Sequence, residues 1–407
     1  MDKDYSTKEI SLALKTLQLY FESSNHQICE NSNISMDKYY RLINGYDKLG
    51  KQSLKKILAC YLVGEKEFFS NSNEIHILYN KFVDSYIFAD NDEMKQVVQK
   101  LIENEEVFES SITFYIVILL NYAQKVRKYE DTARERKIIL KIYSLLNDND
   151  KAFFNLFYSL ELRRIHKLDE AGFRIEESLG NCTNKLRSML VYHKIIIKLK
   201  QNSLAHIQND FDICKKQFLY DQNFNRYLEI ICHEAIYYVK IFQYDMAIEI
   251  FKTARNTAER EENSRLKNLI NDNLVWVYIL KKDYQQALNY VDESFTNDIA
   301  CFHKGYLYHK LGNIQKSDRY IQMALSRNLN NRTVLIKLIR YVSILNAGNE
   351  RKILNYLESL EKLLLNGKKY DVEDLIFVYN EVIDFYETKE KYKEATEYYH
   401  KLIKIIC

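Results

Sequence analysis

The chain contains no proline and only 9 glycines among 407 residues. Average usage of about 5% and 7% would supply roughly 20 prolines and 28 glycines at this length. The two residues that punctuate turns and interrupt regular backbone are therefore nearly missing. β-Sandwiches and barrels need such residues at short intervals, and Pro/Gly-rich disordered chains consist largely of them. Nucleotide-binding α/β enzymes depend on glycine-rich loops, and neither G-x-x-x-x-G-K-[ST] nor G-x-G-x-x-G occurs. What remains is an all-α protein, built as two or three compact domains or as one long repeat array.

A short pattern recurs in the second half. Tyr244-x-x-Ala247-x-x-x-Phe251-x-x-Ala254 is followed by Tyr284-x-x-Ala287-x-x-x-Val291-x-x-Ser294 and by Tyr392-x-x-Ala395-x-x-x-Tyr399-x-x-Leu402. Weaker copies start at Leu168 and Ile314. Twelve residues before the small residue sits a small or medium partner (Ala235, Val275, Gly305, Ile383), with an aromatic three residues further on (Tyr238, Tyr278, Tyr308, Tyr386). Small residues let one helix lie close against its neighbour, and the large residue fills the gap between turns. This register resembles the tetratricopeptide repeat. The copies are degenerate: the Ala247–Ala287 and Ala287–Ser317 spacings differ, and the usual terminal proline is absent. The resemblance implies helix pairs stacked into a right-handed superhelical solenoid with a concave inner surface. On the residues alone, a generic α-helical array is the alternative.

A polar stretch at residues 66–73 (KEFFSNSN) reads as a linker between this array, residues 74–407, and an N-terminal segment, residues 1–65. In that segment Ser23-Ser24-Asn25 are N-cap types. Cys29 is a small residue at a helix contact, and Asn33 suits a turn that needs φ > 0. Ile34, the N-cap Ser35, a buried Tyr39 and a closing Asn44-Gly45 follow, then an amphipathic helix over Ser53–Leu62. The run resembles the helix-turn-helix of the phage-repressor (Cro/cI) superfamily. It departs from that pattern at Asn33, where glycine is usual, at the bulky Tyr39, and at Ile43 in place of an acidic residue. Between Met36 and Cys60 the cations Lys38, Arg41, Lys48, Lys51, Lys55 and Lys56 outnumber the anions Asp37 and Asp47. The resemblance implies a DNA-binding set. Ser35 opens the recognition helix, with Met36, Asp37, Lys38 and Tyr40 at the major groove. Gln27, Arg41, Asn44 and Lys48 meet the phosphate backbone. So few cations bind weakly, which implies a dimer presenting two modules. The alternative for residues 1–65 is a capping helical bundle.

No enzyme motif emerges. H-E-x-x-H and G-x-S-x-G are absent, and of the nearest candidates, Cys301, His303 and His309, the two histidines fall on different faces of a helix, so no catalytic residue, metal ligand or cofactor is expected. The 7 cysteines form no C-x-x-C and read as reduced thiols. With a net charge of +3 the chain is no polycation, so nucleic-acid contact must be local. The apolar stretch Ile112–Leu120 is about half the ~20 residues of a membrane span. A cytoplasmic protein without membrane contact is expected.

Taken together, a Cro/cI-like helix-turn-helix followed by a tetratricopeptide-like array resembles the peptide-pheromone receptors of low-GC Gram-positive bacteria and their phages. These include the PlcR/PrgX/Rgg-type regulators and the arbitrium receptors of temperate phages. The resemblance implies a homodimeric transcription regulator of quorum-sensing or lysis–lysogeny type, acting on a double-stranded DNA operator. A short signal peptide would bind in the concave array. Candidate peptide contacts are Asn225, Arg226, Glu229, Asn268, Asp272, Tyr306, Asn380 and Asp384, and the helices over Leu375–Ile406 are nominated for dimerisation. One alternative is a Rap-like array that acts on a protein partner instead of DNA. Another is a constitutive scaffold with neither ligand.

Overall fold

The computed structural model describes residues 5–48, 50–70, 72–327, 333–366 and 372–406, and among these there is no β-strand. The chain divides into two compact units, Met1–Lys194 and Ile195–Cys407. The fold is all-α and of tetratricopeptide type.

The first unit opens with α1 (Thr7–Tyr20), α2 (Asn25–Ser32), α3 (Met36–Ile43), α4 (Lys51–Ala59) and α5 (Glu65–Phe69). Reciprocal capping boxes start the first two helices, Ser6 with Glu9 and Ser24 with Gln27. Asn33 ends α2 in the left-handed region at φ 52°, and the Ile34 N–H returns to the Cys29 carbonyl at 3.1 Å. Gly45 ends α3 in the same way at φ 76°, with the Tyr46 N–H on the Arg41 carbonyl at 2.9 Å. Ile28, Ile34, Tyr39, Leu42, Leu54, Ile57 and Leu58 form the buried centre of this group.

The stretch read as a linker carries a helix. Phe68 of α5 is fully buried, and its carbonyl accepts the Ile112 N–H at 2.8 Å. Tyr5 stacks on Phe69 at 5.2 Å. Two adjacent aromatics bury a segment whose other letters are polar, and a composition reading averages that signal away. Asn71, within the stretch, lies outside the described residues.

The same unit continues through α6 (Ser72–Phe88), α7 (Asn91–Glu103), α8 (Glu105–Glu109), α9 (Phe114–Lys128), α10 (Ala133–Ile142), α11 (Asp148–Arg164), α12 (Leu168–Leu179) and the start of α13 (Asn184–Lys200). The N-terminal group is docked on these helices through Tyr20. Its ring meets Phe114 edge-on at 4.8 Å, its hydroxyl donates to Glu109 at 2.5 Å, and the Arg134 guanidinium lies 4.4 Å over it.

The second unit holds α14 (Ile207–Tyr220), α15 (Phe224–Lys240), α16 (Tyr244–Arg260), α17 (Ser264–Leu280), α18 (Tyr284–Leu288), α19 (Asp298–Lys310), α20 (Ile314–Leu325), α21 (Thr333–Asn346), α22 (Glu350–Asn366), α23 (Val372–Thr388) and α24 (Tyr392–Ile406). From α15 onward they pair in sequence. Ala235 and Ala247, Val275 and Ala287, Gly305 and Ser317, Ile383 and Ala395 are all buried between paired helices. The aromatics stack across the pairs too, Tyr278 on Tyr290 at 5.7 Å and Tyr308 on Tyr320 at 5.8 Å.

The turns show how a chain without proline reverses direction. Gln222, Glu262 and Lys282 take φ values of 54°, 53° and 60°, each ending a helix. The next residue caps the following helix: Asn223, Asn263 and Asp283 accept the backbone N–H groups of Arg226, Leu266 and Gln286. One copy of the repeat is cut short. Helix α18 stops at Leu288, so Val291 and Ser294 fall outside it. The Asp292 carboxylate accepts the Ser294 N–H at 2.9 Å, and the buried Lys304 ammonium holds the Asp292 and Phe295 carbonyls.

Candidate functional site

Helix α3 buries Tyr39, Leu42 and Ile43 and turns its other face outward. Met36 and Tyr40 are 45% and 55% exposed, and Asp37, Lys38 and Arg41 are exposed beside them. Large apolar side chains left in water on a short, well-anchored helix are available for contact. The flanking residues are more committed. The Arg41 guanidinium binds Asp47 through two hydrogen bonds of 2.8 and 2.9 Å, which hold Arg41 above and Asp47 below their usual pKa values. The Gln27 side chain accepts the Ser24 N–H at 2.9 Å. Asn44 donates to the Tyr40 carbonyl at 2.8 Å and accepts from Lys15 at 3.3 Å. Ser35 is the exposed N-cap of α3, and Lys48 is exposed.

The peptide-contact candidates separate into two groups. Asn225, Arg226 and Glu229 lie in the first turns of α15, where Arg226 and Glu229 pair at 2.6 Å and Asn225 accepts from Asn263 at 3.1 Å. Asn268 and Asp272 follow on α17, both partly exposed. The Asp272 carboxylate is 3.0 Å from His303 Nδ1, and the His303 ring stacks on Trp276 at 4.7 Å. Tyr306, Asn380 and Asp384 sit elsewhere, where α23 packs.

Helix α23 lies against the first helix of each preceding pair. Lys240 at the end of α15 pairs with Glu373 at 3.4 Å. Phe377 is ringed by Trp276 of α17 at 5.5 Å, Phe302 and Tyr306 of α19 at 5.8 and 4.8 Å, and Tyr341 of α21 at 6.2 Å. One turn on, the buried Glu381 carboxylate accepts from the Tyr306 hydroxyl at 2.5 Å and the Tyr341 hydroxyl at 2.7 Å, and pairs with the Lys310 ammonium at 2.9 Å. Burial pushes both phenols well above their usual pKa, and Glu381 adds to the shift. Burial works against the Lys310 charge, but Glu381, Tyr284 and Asp384 together outweigh it and hold the ammonium above its usual value. Tyr306 is thus a buried member of this network, and Asp384 is ion-paired with Lys282 at 2.5 Å. Asn380, between them in sequence, is half-buried.

Glu381, Lys310, Tyr341 and Phe377 carry this arrangement, and sequence reasoning did not single them out. The available signal was a lone carboxylate in the apolar run Leu375–Ile383, which requires a partner if that helix is buried. Among the described residues, no group of histidine, cysteine and acidic side chains is placed to hold a metal ion, and no helix is long and apolar enough to cross a membrane.

The tetratricopeptide-repeat family matches residues 299–331, which take in the α19–α20 pair but for its first residue. No curated protein matches the chain by sequence. Several solved structures match in shape. A Rap protein complexed with Competence and Sporulation Factor superposes with a TM-score of 0.62 at 15% identity, over 82% of this chain and 98% of that one. The apo quorum sensor NprR from B. thuringiensis gives 0.58 at 13% identity, over 82% and 99%. The phAimR structure gives 0.51 at 14% identity, over 95% and 100%. At these identities the likeness is one of fold.

Proposed function

We propose that the chain is a peptide-responsive regulator of the kind to which NprR, Rap and phAimR belong, and that its target is double-stranded DNA. The observation that carries the DNA reading is the outward face of α3. Met36, Asp37, Lys38 and Tyr40 stand free of the core on a helix whose entry is set by the left-handed turn at Asn33. In this reading the helix enters the major groove, with Ser35 at its start and Lys48 near phosphate. Gln27, Arg41 and Asn44 contribute less, because each already has a partner within the fold.

The peptide reading rests on the first group of polar residues, Asn225, Arg226 and Glu229 on α15 and Asn268 and Asp272 on α17. A peptide main chain needs such amides and carboxylates spaced along an array. Binding acts on DNA affinity by favouring one of two states of a homodimer. For the dimer contact, Leu375–Ile383 are buried within their own unit except for the half-buried Asn380. The outer face of α24, with Tyr392, Tyr399 and Ile403 exposed, is the available surface.

The test is a gel-shift titration of the full chain with its upstream DNA between about 50 and 200 mM salt. Affinity that falls steeply as salt rises, and is weakened by Lys38→Ala, supports the reading. Absence of salt-dependent binding overturns it in favour of a Rap-like array acting on a protein partner. The Arg41–Asp47 pair favours that second reading, since it withdraws one cation from phosphate contact.

A further inference from the structure

Within the first unit, α6, α9, the start of α11 and Asn181 line an open cavity of about 290 Å³. Asp150 lines it from the first turn of α11 and is only 4% exposed. Its carboxylate accepts from the Asn147 side chain at 2.6 Å, and its own N–H donates to Asn147 Oδ1 at 2.9 Å. No lysine, arginine or histidine among the described residues pairs with it. The hydroxyls of Tyr79 on the α6 wall and Tyr115 on α9 face Asp150 and, with Asn147, offset part of the cost of burying it, although the Tyr79 hydroxyl falls short of full hydrogen-bond geometry. Asn80, Tyr115 and Asp148 complete the relevant lining, which holds neither lysine nor arginine.

A carboxylate buried without a counter-charge is costly, and burial pushes the Asp150 carboxyl up to about 6. Two tyrosine rings, amide oxygens and this carboxylate offer acceptors and π-faces in one small volume. That is the complement of a compact cation with several N–H donors. The volume lies at the lower end of ligand pockets, the size of one side chain and not of an extended ligand.

We propose that this cavity binds a small organic cation, a guanidinium or primary ammonium group, with its charge against Asp150 and its donors on the surrounding amides. The site is independent of the peptide and DNA readings above and stands if either fails. The titratable groups around it are His76 and Tyr79 from α6, Tyr115 from α9, and Asp148, itself 3.7 Å from Lys151. Protonation of an imidazole at His76 would weaken cation binding in the same direction as protonation of Asp150. The Asp150 variant at high pH therefore separates the two.

The experiment is calorimetric titration of the full chain with L-argininamide, spermidine and an acetylated Gly-Arg-Gly amide. At pH 8 saturable binding is expected, weakened roughly tenfold at pH 5 and lost in Asp150→Asn at pH 8. If that variant fails to fold, Asn80→Trp, which fills the cavity, must abolish binding instead. Tighter binding of the peptide than of argininamide assigns the site to a partner's side chain, the reverse to a free amine, and both support the proposal. No binding up to ~10 mM, unchanged binding by Asp150→Asn or Asn80→Trp, or preference for Mg²⁺ or Ca²⁺ over all three probes overturns it.

Discussion

The Ser317 hydroxyl donates a hydrogen bond of 2.7 Å to the carbonyl of Gly305, across the pair formed by α19 and α20. The contact joins the two small residues of one repeat, and it closes a space with no room to spare. A methyl group at Gly305 would sit 2.5 Å from Ile321 Cδ1 and 2.8 Å from Cγ1. The close approach explains why glycine occupies a helix interior, where it costs about 1 kcal/mol relative to alanine.

Gly305→Ala is therefore expected to destabilise the second unit by about 1–3 kcal/mol despite the better helix propensity of alanine. Shortening the opposing side chain with Ile321→Val should recover part of the loss. Urea denaturation of the single and double variants checks this, and strictly additive effects would contradict the clash.

The helix-ending residues invite the opposite change. Gln222 and Glu262 hold left-handed backbone at φ 54° and 53°, strained for any side chain. Gln222→Gly and Glu262→Gly should each stabilise by about 0.5–1 kcal/mol, the relieved strain exceeding the added chain entropy of glycine. A rise in Tm for both is the expected reading, and a fall would show that their side chains make contacts worth more than the strain.

Glu381 ties α19 and α21 to α23 through Tyr306, Lys310 and Tyr341, and its removal strands the Lys310 charge. Glu381→Ala is expected to cost about 3–5 kcal/mol, and Glu381→Gln less, since the amide still accepts from one tyrosine. Trp276 is the only tryptophan of the chain and touches Phe377, so its emission reports on the position of α23. A red shift in Glu381→Ala at low denaturant is expected. An unshifted spectrum with normal stability would show that the network does not hold the helix.

The raised carboxyl of Asp150 makes stability depend on pH. Because its folded value, about 6, exceeds the ordinary 3.8, the folded protein holds the proton more tightly than the unfolded chain. Its contribution is full below the unfolded value and falls as pH rises through about 6, by an amount on the order of 3 kcal/mol. Asp150→Asn should thus gain stability relative to the parent at pH 8 and lose that advantage near pH 4. Denaturation midpoints of both proteins across this range test the sign.

Much of the array could be read from the sequence. The pairing of Ala235 with Ala247 and of Gly305 with Ser317, the left-handed Asn33 and the buried Tyr39 all involve partners close in the chain, where helical periodicity determines the contact. The linker reading of residues 66–73 missed Phe68, whose partner Ile112 comes from a distant turn. The left-handed Gln222, Glu262 and Lys282 were equally hidden. Local preference names glycine or asparagine there, and the packing of flanking helices overrides a penalty of about 1 kcal/mol.

By itself, then, the sequence determined a helical protein of paired, closely packed hairpins and an N-terminal helix with an outward polar face. A chain without proline and with this periodicity has no other way to satisfy its backbone. Tertiary structure alone decided that α23 lies against the first helices of the earlier pairs, with Phe377 and Glu381 closing on residues as distant as Trp276 and Tyr306. It also decided that Asp150 lines a cavity beside Tyr79. An apolar stripe states that a helix face is covered, but not by what. The covering partner is chosen by the shape and charge of surfaces that exist only once the chain has folded.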